Sequence, residues 1–365
     1  MKIIIATSSY PLHPDDSAAA AGLFVRDLAL QLNGQGHAIR VITQDRPGSI
    51  EDDPGIEVIR FANRTDQPLS TLRPTNPRDV RAILSILYSG TKELAALVAK
   101  DRPNLIIAMW AVPAGLMARF VSLRHRVPSD IWNYGRNPFT SWLVRLALRG
   151  AERIYADGLE LSEETSMLSG KPCEFLPSCR RLPAPGNKPK QLNDSRHNFA
   201  FVGRFHHNKG VDLLVQAVSR LSPEQIKNSH FYLFGKGPAE AACRNLISDH
   251  ALQKTVSLMG YANREQIATY LTHCQALIIP SRIESIPVVL SDAAQADCPV
   301  VACNVGDMGK LLKRFGNGIV VQPEPDSICE GLTQIWDAAR SDFQPGCRRM
   351  AAEFSLTRSA DKIVE

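Results

Sequence analysis

The chain has 365 residues, too many for one ordinary core, so two domains are expected. Hydrophobic residues make up 44% and charged residues 22%, a globular balance, and the net charge of +5 is too small and too scattered for nucleic-acid binding but suits an anionic ligand or an anionic membrane surface. The eight cysteines begin at Cys173 and form no CxxC pair, which excludes a zinc site of ordinary spacing and predicts free core thiols in a reducing, cytoplasmic compartment.

The first element is Lys2 to Thr7, β-branched and apolar, a buried strand. Its apolar run is too short for a signal peptide, and no segment reaches the roughly 18 consecutive apolar residues of a membrane span. The loop SSYPLHPDD follows. Ala18 to Asn33 then carries apolar residues at helical spacing, closed by Gly34-Gln35-Gly36, and Ala38 to Thr43 is the next strand. Strand, helix and strand of these lengths form a βαβ unit, hence a parallel sheet. The theme continues through IEVIRF, a helix from Arg81 to Lys100, NLIIAMW, a helix from Pro113 to Leu123, SDIWNY, a helix from Thr140 to Leu148, RIYAD and EFLP. Asn63-Arg64-Thr65 is a glycosylation sequon by pattern only.

The stretch RRLPAPGNKPKQLNDSRH has three prolines, many charges and little apolar content, the composition of a linker. A second βα series follows, from NFAFVGR through HFYLFG, VSLMG, ALIIPS, PVVAC and GIVVQ to a final helix from Asp326. The expected division is 1–180 for a first domain, 181–197 for the linker, 198–350 for a second domain and 351–365 for a helix returning to the first domain. Both halves read as doubly wound α/β sheets, which bind ligands outside the carboxyl ends of their strands; two such domains facing one another leave a cleft there.

Three motifs carry chemistry. In FVGRFHHNKG, Gly203 ends a strand, and Arg204 and Lys209 lie on the loop before a helix. Two cations beside a helix N-terminus suit a diphosphate; the structural alternative, which the motif alone favours, is a solvated basic loop with a tight-turn glycine. FGKGP lacks the third glycine and the later acid of a dinucleotide fingerprint, and reads as a strand-to-helix turn. In SRIESIPVVLSD, Glu284 lies in the loop after a strand, Pro287 marks the first turn of a helix to Ala296, and Asp292 follows more than a turn later. The N–H groups of Ser285, Ile286 and Val288 can donate to a ligand, and two carboxylates flanking them can accept from sugar hydroxyls. A capping acid with a surface acid is the structural alternative. WLVRLALRG also has two readings: a helix docking on anionic lipid, or one burying a face in its own domain.

In order, VGRFHHNKGVDLLVQA, LFGKGP, GYANREQIATYL, ALIIPSRIESIPVVLSDAAQADCPVVA and GNGIVVQPEPDSICEGL resemble the carboxyl-terminal domain of the family 4 retaining glycosyltransferases, the group 1 enzymes of the GT-B fold. The amino-terminal half is similar through YPLHPDDSAAAAGLFVRDLALQLNGQGHAIRVIT and AMWAVPAGLMA. The resemblance implies two Rossmann-like domains facing across a cleft, and transfer of a hexose from a UDP- or GDP-sugar to a glycan or lipid-linked acceptor. It implies no cofactor or metal and no nucleic-acid partner. Peripheral contact with the inner face of the cell membrane goes with lipid-linked acceptors.

The same resemblance implies roles for single residues. Arg204 and Lys209 would hold the diphosphate, with Gly203 at the strand end. Glu284 would contact the transferred sugar, helped by the backbone of Ser285, Ile286, Pro287 and Val288. Asp292 would bind the ribose hydroxyls, Gly260 and Tyr261 the base, and Gly22 would turn backbone N–H groups of the other domain towards the phosphate. Three departures stand out. The second acid of the pair is Asp292 where glutamate is usual, Tyr134-Gly135 stands where many members carry His-Gly, and PSCRR replaces an asparagine-glycine turn. Tyr134 would meet the donor sugar with a phenol, which hydrogen-bonds but carries no charge near neutral pH. These changes motivate an alternative, a catalytically weak protein that binds a nucleotide sugar or a partner enzyme.

Overall fold

The computed structural model describes residues 1–365 except 15, 17–21, 63–75, 134–140 and 194. The chain divides into two compact units, Met1–Pro177 with Leu356–Glu365, and Ser178–Ser355. The sequon at Asn63 and the candidate residue Tyr134 fall outside the described residues.

In the first unit, the strands are β1 (Lys2–Ala6), β2 (Ala38–Gln44), β3 (Ile56–Phe61), β4 (Leu105–Met109), β5 (Ser129–Asn133), β6 (Ile154–Ala156) and β7 (Glu174–Phe175). The helices are α1 (Leu23–Gly34), α2 (Pro77–Lys100), α3 (Leu116–His125), α4 (Ser141–Arg149) and α5 (Leu159–Ser169). The sheet is parallel in the order β3-β2-β1-β4-β5-β6-β7. The strands are nearly continuous apolar runs because both faces are covered: Ile4, Ala6, Ile106, Ala108 and Ile131 are buried in one cluster, and the alternate residues Ile3, Ile5 and Ile107 are buried too. Each of the isoleucines contributes about 1.5–3 kcal/mol of transfer free energy if its burial is complete.

The helix expected from Arg81 begins at Pro77. Asn76 caps it by accepting from the Arg78 N–H, and proline at the first helical position sacrifices no hydrogen bond. By length and composition alone α2 could cross a membrane. Its stripe of Ala82, Ile86, Gly90, Leu94 and Val98 is buried in the unit's own core. The helix expected from Pro113 starts later, at Leu116, because Ala111–Gly115 forms a separate turn with extended Val112 inside it.

The second unit repeats the plan. Its strands are β8 (His197–Val202), β9 (Ser229–Phe234), β10 (Val256–Gly260), β11 (Ala276–Ile279), β12 (Val300–Cys303) and β13 (Gly318–Val321). Its helices are α6 (Val211–Val218), α7 (Pro223–Lys227), α8 (Glu240–Asp249), α9 (Arg264–His273), α10 (Val288–Gln295), α11 (Met308–Phe315), α12 (Pro325–Asp337) and α13 (Gln344–Glu353). The parallel order is β10-β9-β8-β11-β12-β13. Phe199 and Phe231 stack at 4.8 Å between ring centroids in its core.

The stretch expected as a linker, 181–197, does not stand free of the second unit. The Gly186 N–H donates to Thr269 Oγ1 at 2.7 Å, Tyr232 donates to the Gln191 carbonyl, and Leu192 is buried. Composition read this stretch as a linker; hydrogen-bond partners far along the chain hold it on the second unit. The helix expected from Asp326 is two, α12 and α13. The helix expected within 351–365 is α14 (Leu356–Val364), part of the first unit, where Gln35 Nε2 donates to Asp361 Oδ1 at 2.7 Å and Arg153 Nη2 to the Ile363 carbonyl at 2.6 Å.

Candidate functional site

In the second unit the chain leaves β8 on one side and β11 on the other, so the strand order reverses between these neighbours. From these two strands the chain continues to opposite edges of the sheet, and the place outside their carboxyl ends is where such sheets hold ligands. The β8 loop carries Gly203, Arg204 and Lys209, and the β11 loop carries Glu284. Lys209 Nζ donates to Glu284 Oε2, so the geometry joins two residues 75 positions apart. Both are largely shielded, with side-chain exposures of 28% and 15%.

The two loops are tied together by backbone. The Asn208 carbonyl accepts from the Arg282 N–H at 2.8 Å and the Ile283 N–H at 3.3 Å. Arg282 Nη1 donates to the His207 carbonyl at 2.9 Å, and its guanidinium pairs with both oxygens of Asp212 at 2.8 and 2.6 Å. Burial pushes the Asp212 carboxyl up, but the Arg282 guanidinium outweighs it and holds the group below its usual range. Gly210, between Lys209 and α6, has φ +64, and a Cβ there would collide with the Pro280 carbonyl. Only glycine lets the loops close to this distance. Gly306, φ +53, plays the same part after β12, backing directly onto the carbonyls of Glu284 and Ser285.

α10 starts at Val288, one residue later than expected, with Pro287 as its extended cap and no side-chain cap. Among the described residues nothing accepts from the N–H groups of Ser285, Ile286, Val288 and Val289; the Leu290 N–H returns to the Pro287 carbonyl. These donors, with the Lys209 ammonium, form a cationic and donor-rich corner beside one carboxylate. Such a corner can bind an anion and a hydroxylated group side by side.

The other expected residues are placed as follows. Arg204 is exposed, with no acceptor for its guanidinium among the described residues. His206 and His207 are exposed, and His206 Nδ1 caps the short turn His207–Lys209 by accepting from the Asn208 N–H at 3.2 Å. Gly260 ends β10 with φ +74, and Tyr261 lines a groove of about 350 Å³ with Phe234, Asn263, Gln266 and Tyr270. Gly22 caps α1 in the first unit, packed on the Ser9 carbonyl after β1. Asp292, the acid expected for the ribose, is fully buried and paired with Arg180. Arg180 Nε lies 3.0 and 3.1 Å from its two oxygens and Nη2 lies 2.5 Å from Oδ2. The aspartate is one methylene shorter than the usual glutamate, and the guanidinium meets it.

Residues 187–345 match the family described as glycosyl transferases group 1, and residues 20–159 match the glycosyl transferase 4-like domain. The chain belongs to the group 1 glycosyltransferases. Among relatives of this family, the alpha-D-kanosaminyltransferase of Streptomyces kanamyceticus is 22% identical over 382 aligned residues, covering 93% of this chain and 97% of that one. The putative teichuronic acid biosynthesis glycosyltransferase TuaC of Bacillus subtilis is 24% identical, over 66% of this chain and 64% of that one. The fold is GT-B: HepE of Anabaena, solved in complex with UDP, superposes with a TM-score of 0.73 at 16% identity, over 100% of this chain and 98% of that one. The group 1 match contains the whole Lys209–Glu284 corner of this glycosyltransferase.

Sequence reasoning did not find Arg180, the Asp212–Arg282 pair or Gly306. The motif PSCRR held a signal for the first, since an arginine stands in a short turn. The other two show only when the β8, β11 and β12 loops are brought together.

Proposed function

We propose that this glycosyltransferase moves a hexose from a UDP- or GDP-sugar to a glycan or lipid-linked acceptor, with retention and without a metal ion, in cell-surface polysaccharide or glycolipid synthesis. The observation that carries the reading is the Lys209–Glu284 contact beside the N–H groups at the approach and first turn of α10, which meet no acceptor among the described residues. A diphosphate arriving there takes the ammonium and the backbone donors, and Arg204 lies on the same loop. Charge that develops on the leaving diphosphate is met by groups already fixed in place, which is the largest ordinary source of rate acceleration. The bond from the anomeric carbon to the phosphate oxygen breaks, a bond to the acceptor oxygen forms on the same face, and the acceptor proton passes to the leaving phosphate. Glu284, released from Lys209, accepts from hydroxyls of the transferred sugar.

UDP bound to HepE supports the uridine donor, and the name of TuaC supports a cell-surface product. Gly260 and Tyr261 are proposed for the base, since Gly260 ends β10 and Tyr261 lines the groove beside it. A cytoplasmic protein resting on the inner face of the membrane follows from lipid-linked acceptors. It is supported by α4, where Trp142 is 65% exposed, Arg145 and Arg149 are exposed, and no acid occurs, although Ala147 and Leu148 bury its other face.

A thermal-shift screen against UDP, GDP, ADP and their sugars tests the donor, since a ligand of the native state raises the midpoint. Transfer from the bound sugar nucleotide, with the product anomer read by NMR, tests the reaction. Nucleotide binding without turnover over a broad acceptor panel would favour the catalytically weak alternative.

A further inference from the structure

The Lys209–Glu284 contact differs in kind from the other ion pairs near it. Asp212 is held by two nitrogens of the Arg282 guanidinium, and Asp292 by Arg180 with its carboxylate fully buried. Two-pronged arginine pairs are fixed in geometry and costly to open when buried. Glu284 meets a lysine instead, and an ammonium is a point charge on a flexible stem that can change partner. That freedom belongs to the side chains alone. The Asn208 carbonyl, next to Lys209, accepts from the Arg282 and Ile283 N–H groups, and the Glu284 carbonyl backs onto Gly306. Arg204, the other cation singled out on the β8 loop, has no acceptor among the described residues. One of these two cations is therefore spent on the site's own acid.

A diphosphate and the Glu284 carboxylate must compete for that ammonium. With a sugar nucleotide the exchange is balanced, because sugar hydroxyls donate to Glu284 as the phosphate takes Lys209. With a bare nucleoside diphosphate the displaced carboxylate gains no donor and is left close to phosphate charge of the same sign, which is unfavourable. We infer that Glu284, through its contact with Lys209, makes the site discriminate against the bare nucleoside diphosphate: once the sugar has left, the carboxylate retakes the ammonium and displaces the product. This rests on the reading of the corner as a nucleotide-sugar site and assigns its acid a second task there, product release.

The test is calorimetric affinity of the full chain for UDP and GDP. Glu284→Gln keeps the side chain's shape and removes its charge, and it should tighten whichever nucleotide binds by about fivefold or more, the worth of freeing one partly shielded ammonium. Glu284→Ala should give the same gain, so the result does not hang on one variant folding. In a Lys209→Gln background the gain should largely vanish, and in an Arg204→Gln background it should persist. A smaller gain, or a loss, in both Glu284 variants overturns the inference. An equal gain in the Lys209→Gln background also overturns it, since general repulsion by the acid would then be the cause. If neither nucleotide binds the unaltered chain or any variant, the donor reading itself fails; binding that the Glu284 variants do not tighten sinks this inference alone.

Discussion

Replacing Arg180 by methionine removes the cation while keeping most of the apolar stem. The pair it breaks has side-chain exposures of 14% and 0%, and the guanidinium contacts both carboxylate oxygens. A solvent-exposed ion pair would contribute about 0–1 kcal/mol, whereas removing one partner of a buried pair costs about 3–5 kcal/mol. The buried regime applies, because the Asp292 carboxylate cannot reach water when Arg180 leaves. Arg180→Met should therefore destabilise the second unit by about 3–5 kcal/mol. The double variant Arg180→Met with Asp292→Leu should recover most of the loss, because it removes the stranded charge as well. Since the chain has two units, one global transition would blur the effect. Native-state hydrogen exchange read on peptides of α10 and β11 isolates the second unit. A loss under about 1 kcal/mol in the single variant, or a double variant no better than the single, would refute the buried-pair reasoning.

Three further outcomes are expected. Lys209→Ala should weaken UDP or GDP binding by about ten- to a hundredfold, the worth of one charge-assisted hydrogen bond, and leave nucleoside binding unchanged; calorimetry with both ligands separates the two. Gly210→Ala should destabilise the second unit by about 1–3 kcal/mol from the backbone alone, with a further loss from the collision with the Pro280 carbonyl, seen as a lower unfolding midpoint. Asp212 is held below its ordinary value, so its contribution is complete above the unfolded carboxyl value and drains away as pH falls through the folded one. Arg282→Gln should accordingly flatten the acid limb of a urea-midpoint profile taken from neutral pH to about pH 3, and an unchanged limb would count against the pair.

Much of the fold was legible because each strand is a short β-branched or apolar run between helical periods. Such a pattern has few stable solutions besides a parallel sheet covered on both faces. Lys209 and Glu284 were legible for a related reason: both stand in loops that directly follow strands, and strand ends are where these sheets place their ligands. The start of α2 at Pro77 was harder, since one proline fits both the end of a loop and the first turn of a helix. The packing of the stretch 181–197 on the second unit was not legible, because prolines and charges describe a chain with little to bury. They say nothing of a carbonyl such as that of Gln191, which meets Tyr232 across 41 residues.

Asp292 marks the division most clearly. Local sequence determined that an acid stands eight residues after Glu284, on a helix entered through Pro287. Which way its carboxylate is spent was decided only when residue 180, 112 positions earlier, came to lie along α10. Periodicity and turn chemistry act over a few residues, so they determine strands, helices and the loops that join them. Pairings such as Lys209–Glu284, Asp212–Arg282 and Arg180–Asp292 depend on strand order and loop approach, and those exist only once the sheet has formed.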